Sequence, residues 1–549
     1  MKIPNLPFER FLLHDEIEAY LQKLAAAAPD LVEHSSIGTS REGRTIPVVT
    51  ITNKATGSDL DKPGFLIFGN IHADELSGSQ VSLYHAWQLV KEHKSGGILD
   101  KVAFYIIPRI NPDGAEFSLT ATGEIRSAVH YNSEPLPNSI IQKDIDGNGM
   151  MLLMRLPNPN GRFARHPEDP RLMVPRTTKT PGPYYDVFPE GLINNWDGSR
   201  DLTLHGRHVD WNRNWSYDWR PEPRQCGAGD FPLSEPEMRC LLEFISAHRN
   251  IFQMISYHTG PRRILRAPSG GSDADLPFED LKLYKEIAAE LGECLDFPSI
   301  PVYQYRQEGY PDVDLGGHSL SFGYFQQGLF FLEVELGQMC DEAEMFFGYD
   351  KSCDNYQMET TLDDMYRNIL RWQDANPDMP QAFVPWKKFR HPQLGEIEIG
   401  GPCHKVLRNH PMKRLKTISA NSQKGILKLA ARHPEVIVSN LEVEAVGEGI
   451  FRIRGEVVNN GILSTSVSTL GRGLDKFIKP RAELHLAKGV TLLSRHNLLK
   501  MDHLESMGFA TSPVPLEWFV AAPAKTKTLG EIKLVAGTGG TRIYKLRRK

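Results

Sequence analysis

The strongest constraint on the fold is a change of period near residue 436. Beyond Val436 short apolar and polar alternations follow one another as LEVEAV, IFRIRGEVVN, RAELHL, LEWFVAA, GEIKLVAG and TRIYKLR, with turn residues between them. A period of two sends neighbouring side chains to opposite faces, so each segment has one face to bury and needs a second sheet to bury it against. Residues 438–549 are therefore expected to form an all-β sandwich of the immunoglobulin-like kind.

Upstream, the periods alternate. Residues 16–28 carry helical apolar spacing, residues 39–52 (TSREGRTIPVVTIT) a Gly-marked turn and a β-branched strand, and residues 65–69 (FLIFG) a short buried strand. A loop at 72–78, a helix at 81–92 and a strand at 102–108 (VAFYIIP) follow. The rhythm resumes with a helix at 234–248 opened by SEPE, a capping-box-like start, then strands at 252–257 and 330–336 and a helix at 422–432. Such a rhythm predicts an α/β domain over residues 8–434, a mixed twisted sheet flanked by helices. Between 127 and 206 Pro, Asn, Gly and Asp dominate, which predicts a loop-rich insertion.

A chain of 549 residues has room for about two to four folding units. Its 63 Lys+Arg and 68 Asp+Glu leave a formal charge of -5, which predicts no strong attraction to nucleic acid or to an anionic membrane. No stretch approaches the ~18 consecutive apolar residues of a membrane span. The opening MKIPNLPFERFLLHDEIEAY interrupts with Pro, Asn and Glu the apolar run that a secretion signal needs. Cys226, Cys240, Cys294, Cys340, Cys353 and Cys403 are scattered with no C-x-x-C pair, so free thiols and a cytoplasmic location are expected.

His72 and Glu75, directly after FLIFGN, can offer an imidazole nitrogen and a carboxylate oxygen to one small cation from one side of a turn. A catalytic zinc needs three protein ligands and an open position, with the third ligand usually remote in sequence. His258, closing FQMISYH, is placed to be that ligand. With these residues, GNIHADE (69–75), PRINPDG (108–114), VDWNRNW (209–215), SEPE (234–237), SYH (256–258) and VEL (334–336) occur in one order along the chain. In this series the chain resembles the zinc carboxypeptidases, the family of the pancreatic A and B enzymes. HPQLGEIEIGG (391–401) resembles a feature of bacterial-type members with a C-terminal sandwich.

The resemblance implies a role for each matching position. His72, Glu75 and His258 would bind one Zn2+ per chain, and Asp210 would accept the far N–H of a ligating imidazole and fix its tautomer. Glu335 would be the general base and Arg126, fifteen positions after Asn111, would stabilise the developing oxyanion. Asn212 and Arg213 would hold the terminal carboxylate of the substrate, and Tyr310, with Tyr305 as the other candidate, would cap it. Glu333 and Glu335 project to the same face, and the V-E-L context selects Glu335, leaving Glu333 as a solvated or salt-bridged strand residue. Thr259-Gly260 stands where the pancreatic enzymes have Ser-Tyr, so that side of the groove should differ.

The activity implied is zinc-dependent hydrolysis of the C-terminal bond of a peptide with a free carboxylate, with no pro-segment to be removed. The alternatives are a zinc deacylase of N-acyl amino acids, a carboxypeptidase of cell-wall peptides and, in another class, a non-catalytic binding protein on the same fold. Between Gly317 and Gly328 no acidic residue calls for a basic substrate, and Arg262, Arg263 and Arg266 read as a solvated basic surface, with a preference for acidic substrate groups as the alternative. Asp144, Asp146 and Asn148 match the start of a calcium loop, but Arg155 occupies its twelfth place, where a bidentate Glu is required. An EF-hand is excluded, and a looser Ca2+ site or a plain turn cluster remains.

Overall fold

The computed structural model describes residues 2–120, 123, 125–130, 135–222, 224–309, 315–346, 362–506 and 512–548. The eight-stranded main sheet is built from β1 (Val32–Thr39), β2 (Thr45–Ile51), β3 (Gly64–Gly69), β4 (Ala103–Ile107), β5 (Ile251–His258), β6 (Arg263–Arg266), β7 (Ser299–Pro301) and β8 (Phe330–Glu335). Their order is β1-β2-β4-β3-β5-β8-β6-β7. The pairs β4/β3, β3/β5, β5/β8 and β6/β7 are parallel, while β1/β2, β2/β4 and β8/β6 are antiparallel, so the sheet is mixed. Every residue of β3, β4 and β5 is buried, as expected of interior parallel strands covered on both faces. β1 lies at an edge with mixed burial, which is why its weak alternation escapes a period count.

Helices α1 (His14–Ala27), α2 (Leu76–Lys91), α3 (Pro112–Leu119), α4 (Pro236–Ala247), α5 (Phe278–Leu295) and α6 (Met412–Ala430) flank this sheet. α2 packs over β3 and β5, α5 over β6, β7 and β8, and α6 against both helices, while α1 and α4 touch β1. The capping box expected at SEPE does not form. Glu235 is the N-cap, Pro236 takes the first turn, and the Ser234 hydroxyl donates to Glu235 Oε1 (2.9 Å).

The stretch expected to be loop-rich holds paired short strands. Leu153–Pro157, Phe163–Arg165, Met173–Pro175 and Tyr184–Pro189 join Phe383–His391 and Gly395–Pro402 in a six-stranded antiparallel sheet. Met154, Leu156, Ile397 and Ile399 form part of its core. Strands this short leave no local period to detect, and one of their pairings, Leu153–Pro157 with Gly395–Pro402, joins segments over two hundred residues apart.

Among the described residues eight C-terminal strands make the sandwich: β9 (Val436–Gly447), β10 (Ile450–Asn459), β11 (Arg481–Leu486), β12 (Thr491–Leu492), β13 (Leu498–Lys500), β14 (Val514–Ala521), β15 (Thr528–Val535) and β16 (Thr541–Arg547). One sheet runs β9-β10-β14-β12 and the other β13-β11-β15-β16. This is the ABED/CFG arrangement of immunoglobulin-like sandwiches, with one added strand at the edge of the second sheet. Phe451, Ile453 and Trp518 from one sheet meet Leu484, Ile532 and Leu534 from the other in a core of their own. Leu463, Val467 and Phe477, between β10 and β11, pack instead into the larger core around the main sheet.

Candidate metal centre

The centre lies at the carboxyl ends of β3, β5 and β8, where an open α/β sheet presents its loops. β3 ends at Gly69, and Asn70 turns the chain with a positive φ of 64°. The Asn70 side-chain amide donates to the His72 carbonyl (2.6 Å) and fixes the loop that carries His72 and Glu75. Close approach of α2 completes the support. A Cβ on Gly78 would sit 2.8 Å from the backbone oxygen of Tyr257, so only glycine lets the first turn of α2 rest on the end of β5.

His72, Glu75 and His258 converge as the metal motif predicts. Their donor atoms all lie within 4.8 Å of one another, and the residues are 2%, 2% and 1% exposed. His72 Nδ1 is 3.0 Å from Glu75 Oε1, and His258 Nδ1 is 3.1 Å from both His72 Nδ1 and Glu75 Oε2. Donors ~2.0–2.1 Å from a tetrahedral zinc stand about 3.3 Å apart, so the cluster has nearly the edge lengths of such a site. Two imidazole nitrogens and a carboxylate oxygen also form the donor chemistry zinc prefers.

Asp210 and Arg126 close one side. Asp210 Oδ1 is 3.1 Å from His72 Nε2 and accepts the Asn212 backbone N–H (2.8 Å), while Arg126 donates to Glu75 Oε1 (2.7 Å) and to Asp210 Oδ2 (3.3 Å). Burial pushes the Asp210 carboxyl up, but Arg213, Arg126 and His72 outweigh it and hold the group well below the usual range. Glu75 is likewise held low, with His72 and Arg126 overcoming burial. At His258 burial works against charge, yet Glu333, Glu75 and Glu335 raise its pKa to about 9. So concentrated a set of opposed charges in a buried site is what a divalent cation would complete.

Glu335 pairs in register with His258 across β8 and β5. Burial, with the negative charges of Glu75 and Glu333, lifts its pKa to about 7 against the pull of His258. Its Oε2 accepts the backbone N–H of Gly260. A Cβ at Gly260 would lie 2.7 Å from that oxygen, so in this chain the carboxylate occupies space a side chain there would need.

Glu333 is not solvated. It is 1% exposed, accepts from Asn212 Nδ2 (3.0 Å) and the Ser319 hydroxyl, and lies 3.6 Å from His258 Nε2 and 3.7 Å from His318 Nε2. Successive residues Phe330–Val334 of β8 are all buried, so both its faces are covered and alternation carries no information about exposure. His258 Nε2 is buried without a hydrogen bond. Asn212 also accepts from the Ser319 N–H (3.0 Å), so its amide braces the turn from which Arg213 projects. His318 and Ser319 belong to no matching motif, and no local pattern marks them in the sequence.

Tyr310 lies outside the described residues; Tyr305 is described and packs against the main core. The arginines after β5 are not a solvated surface. Arg263 is 6% and Arg266 3% exposed, Arg266 donates to both oxygens of Asp273 (2.7 and 2.8 Å), and Arg262 pairs with Asp341 (3.3 Å). The calcium expectation gains no support. Asp144, Asp146 and the buried Glu190 do cluster, but Asp144 accepts from the N–H groups of Gly147, Asn148 and Gly149, and Glu190 from those of Ile145, Asp146 and Leu152. Backbone donors thus occupy these carboxylates, and a turn cluster accounts for them.

Residues 17–361 match the family model described as zinc carboxypeptidase, and residues 435–546 match one described as a domain of unknown function. The chain belongs to the zinc carboxypeptidase family. It is 31% identical over 136 residues to metallocarboxypeptidase A of Trichophyton tonsurans, which covers 24% of this chain and 31% of that protein. It is 36% identical over 108 residues to carboxypeptidase B of Astacus astacus, covering 20% of this chain and 34% of that protein. The chain thus spans about a third of the length of these relatives. The solved carboxypeptidase A from Helicoverpa armigera overlaps 68% of this chain and 76% of its own at a TM-score of 0.41 and 17% identity.

Proposed function

We propose that this protein is a metallocarboxypeptidase, hydrolysing the last peptide bond of peptides that end in a free carboxylate. The observation that carries the proposal is the buried His72–Glu75–His258 cluster with the Glu335 carboxylate in register with His258 on the adjoining strand. The donor set fits zinc, which when bound supplies the Lewis acidity that makes a water deprotonable near neutral pH.

The chain's own residues do the rest. Glu335, in register with His258 beside the cluster, takes a proton from the attacking water and delivers it to the departing amine. Asp210 holds His72 in the tautomer whose Nδ1 is free to ligate, because its oxygen accepts the Nε2–H. Arg126 stands beside Glu75 as the fixed positive charge for the oxyanion. Arg213, on a turn braced by Asn212, Glu333 and Ser319, receives the terminal carboxylate and confines cleavage to chain ends.

A substrate panel tests this. The zinc-loaded chain is expected to release a free amino acid from N-blocked dipeptides of L-residues. Cleavage of simple N-acyl amino acids alone would make it a deacylase, cleavage only of peptides with D-residues a cell-wall enzyme, and no cleavage at all a binding protein.

A further inference from the structure

The geometry points to Asn409 and His410 as a positioning pair that ties the loop carrying His72 and Glu75 to the end of the strand carrying Glu335. Both lie in the stretch between the two regions matched by family models, and they are 2% and 3% exposed.

The need for such a tie begins at α2. Glu75 is the N-cap of this helix, but its side chain points to His72 and His258 and makes no capping hydrogen bond. A helix start leaves its first N–H groups without intrahelical partners. Asn409, 332 positions away, fills the gap: its Oδ1 accepts from the Ser77 backbone N–H (2.8 Å) and from the Ser77 hydroxyl (2.9 Å). Its Nδ2 donates to the Asp74 carbonyl (2.7 Å) and to the Lys405 carbonyl (2.8 Å). Both lone pairs and both hydrogens of the amide are used, and they hold the residues on either side of Glu75. One metal ligand is freed from capping because a distant amide caps in its place.

The neighbouring residue reaches the other half of the centre. His410 Nε2–H donates to the carbonyl of Leu336 (3.0 Å), the residue after Glu335, while Nδ1 stands 3.0 Å from Glu342 Oε1. Leu336 in turn donates its N–H to the carbonyl of His258 (2.8 Å). Gly337 makes room, since a Cβ there would lie 2.6 Å from His410 Nε2. Two consecutive residues therefore bond the ligand loop and the base strand. Their fixed spacing sets how far the end of the strand carrying Glu335 stands from the loop carrying His72 and Glu75.

The pair rests on the zinc site proposed above, and its test includes a readout that needs no substrate. Transfer of zinc from the loaded full-length chain to a chromophoric chelator is followed beside steady-state kinetics and thermal melting. Asn409→Ala should release zinc about tenfold faster than wild type, the scale of losing an outer partner of a metal ligand. Ser77→Ala, which removes only the hydroxyl contact, should move release in the same direction by a smaller factor and serves if Asn409→Ala fails to fold. His410→Ala should lower kcat by about tenfold or more with KM and zinc release near wild type, as expected of a displaced base. His410→Gln, which keeps an N–H able to reach Leu336, should recover most of that loss. If Asn409→Ala, Ser77→Ala and His410→Ala match wild type in zinc release and kcat and only melt earlier, the pair is packing alone and the inference is overturned. A wild-type chain that takes up no zinc overturns the proposed function itself, a distinct result.

Discussion

Replacing Asp210 with Asn tests the support of the metal ligands most sharply, because it changes a charge and almost no volume. In the wild-type chain Asp210 Oδ1 faces His72 Nε2 at 3.1 Å and Oδ2 accepts from Arg126 at 3.3 Å. Held well below the usual carboxylate range by Arg213, Arg126 and His72 against burial, Asp210 is anionic throughout the neutral region. A hydrogen bond to an ionised acceptor contributes about 1.5–3 kcal/mol against 0.5–1.5 for a neutral one. The amide introduced by Asp210→Asn would keep an oxygen toward His72 but turn an N–H donor toward the Arg126 guanidinium, losing that contact as well. Together these predict a loss of about 1.4–2.7 kcal/mol in zinc binding, a factor of about 10–100. Competition against a chelator of known affinity at neutral pH measures it directly. An affinity within about twofold of wild type would mean that Asp210 does not orient His72, and the carboxylate–imidazole support would have to be abandoned.

Three further outcomes follow from the same geometry. Glu335→Gln should abolish turnover while zinc stays bound, whereas His72→Ala should lose both, as metal analysis beside a dipeptide assay will tell; full activity in the Gln variant would remove the proposed base. Gly260→Ala should lower kcat with zinc affinity unchanged, because the new methyl must displace the Glu335 carboxylate 2.7 Å away; unchanged kcat would show that the Gly260 contact is incidental. His85, buried between Gln423 and Tyr257, has its pKa pulled from 6.5 down to about 4 by burial, which the Gln423 bond only partly offsets. Its folded pKa lies below the unfolded value, so this contribution is complete above the unfolded pKa and is lost as pH falls through the folded one. The wild-type chain should therefore lose about 3 kcal/mol more than His85→Asn between those limits in denaturant titrations, and parallel slopes would contradict the assignment.

The clustering of His72, Glu75 and His258 was legible through the motif series they belong to, since the spacing of His72 and Glu75 alone is weak and His258 is a lone histidine at a strand end. β3 and β5 announce themselves as GFLIFG and IFQMISYH, and both deliver their ligands at the carboxyl edge. The sandwich was legible because its alternation is local and repeated. For Glu333 the salt-bridged reading holds and the solvated one does not; its burial was hidden because a strand covered on both faces gives its charged residues no distinguishing period. The burial of Arg262, Arg263 and Arg266 was hidden too, because the acidic partners of Arg262 and Arg266, Asp341 and Asp273, come from other elements. Asn409 and His410 were invisible for the plainest reason, since a side chain that caps a helix 332 positions away leaves no mark near that helix.

The most direct test is the zinc content of the loaded and exhaustively dialysed full-length chain, wild type beside His258→Ala. About one zinc per wild-type chain, and almost none in the variant, is the expected result for a three-ligand site. A metal-free wild type, or a variant that retains its zinc, would contradict the assignment of these two imidazoles and one carboxylate to a common ion.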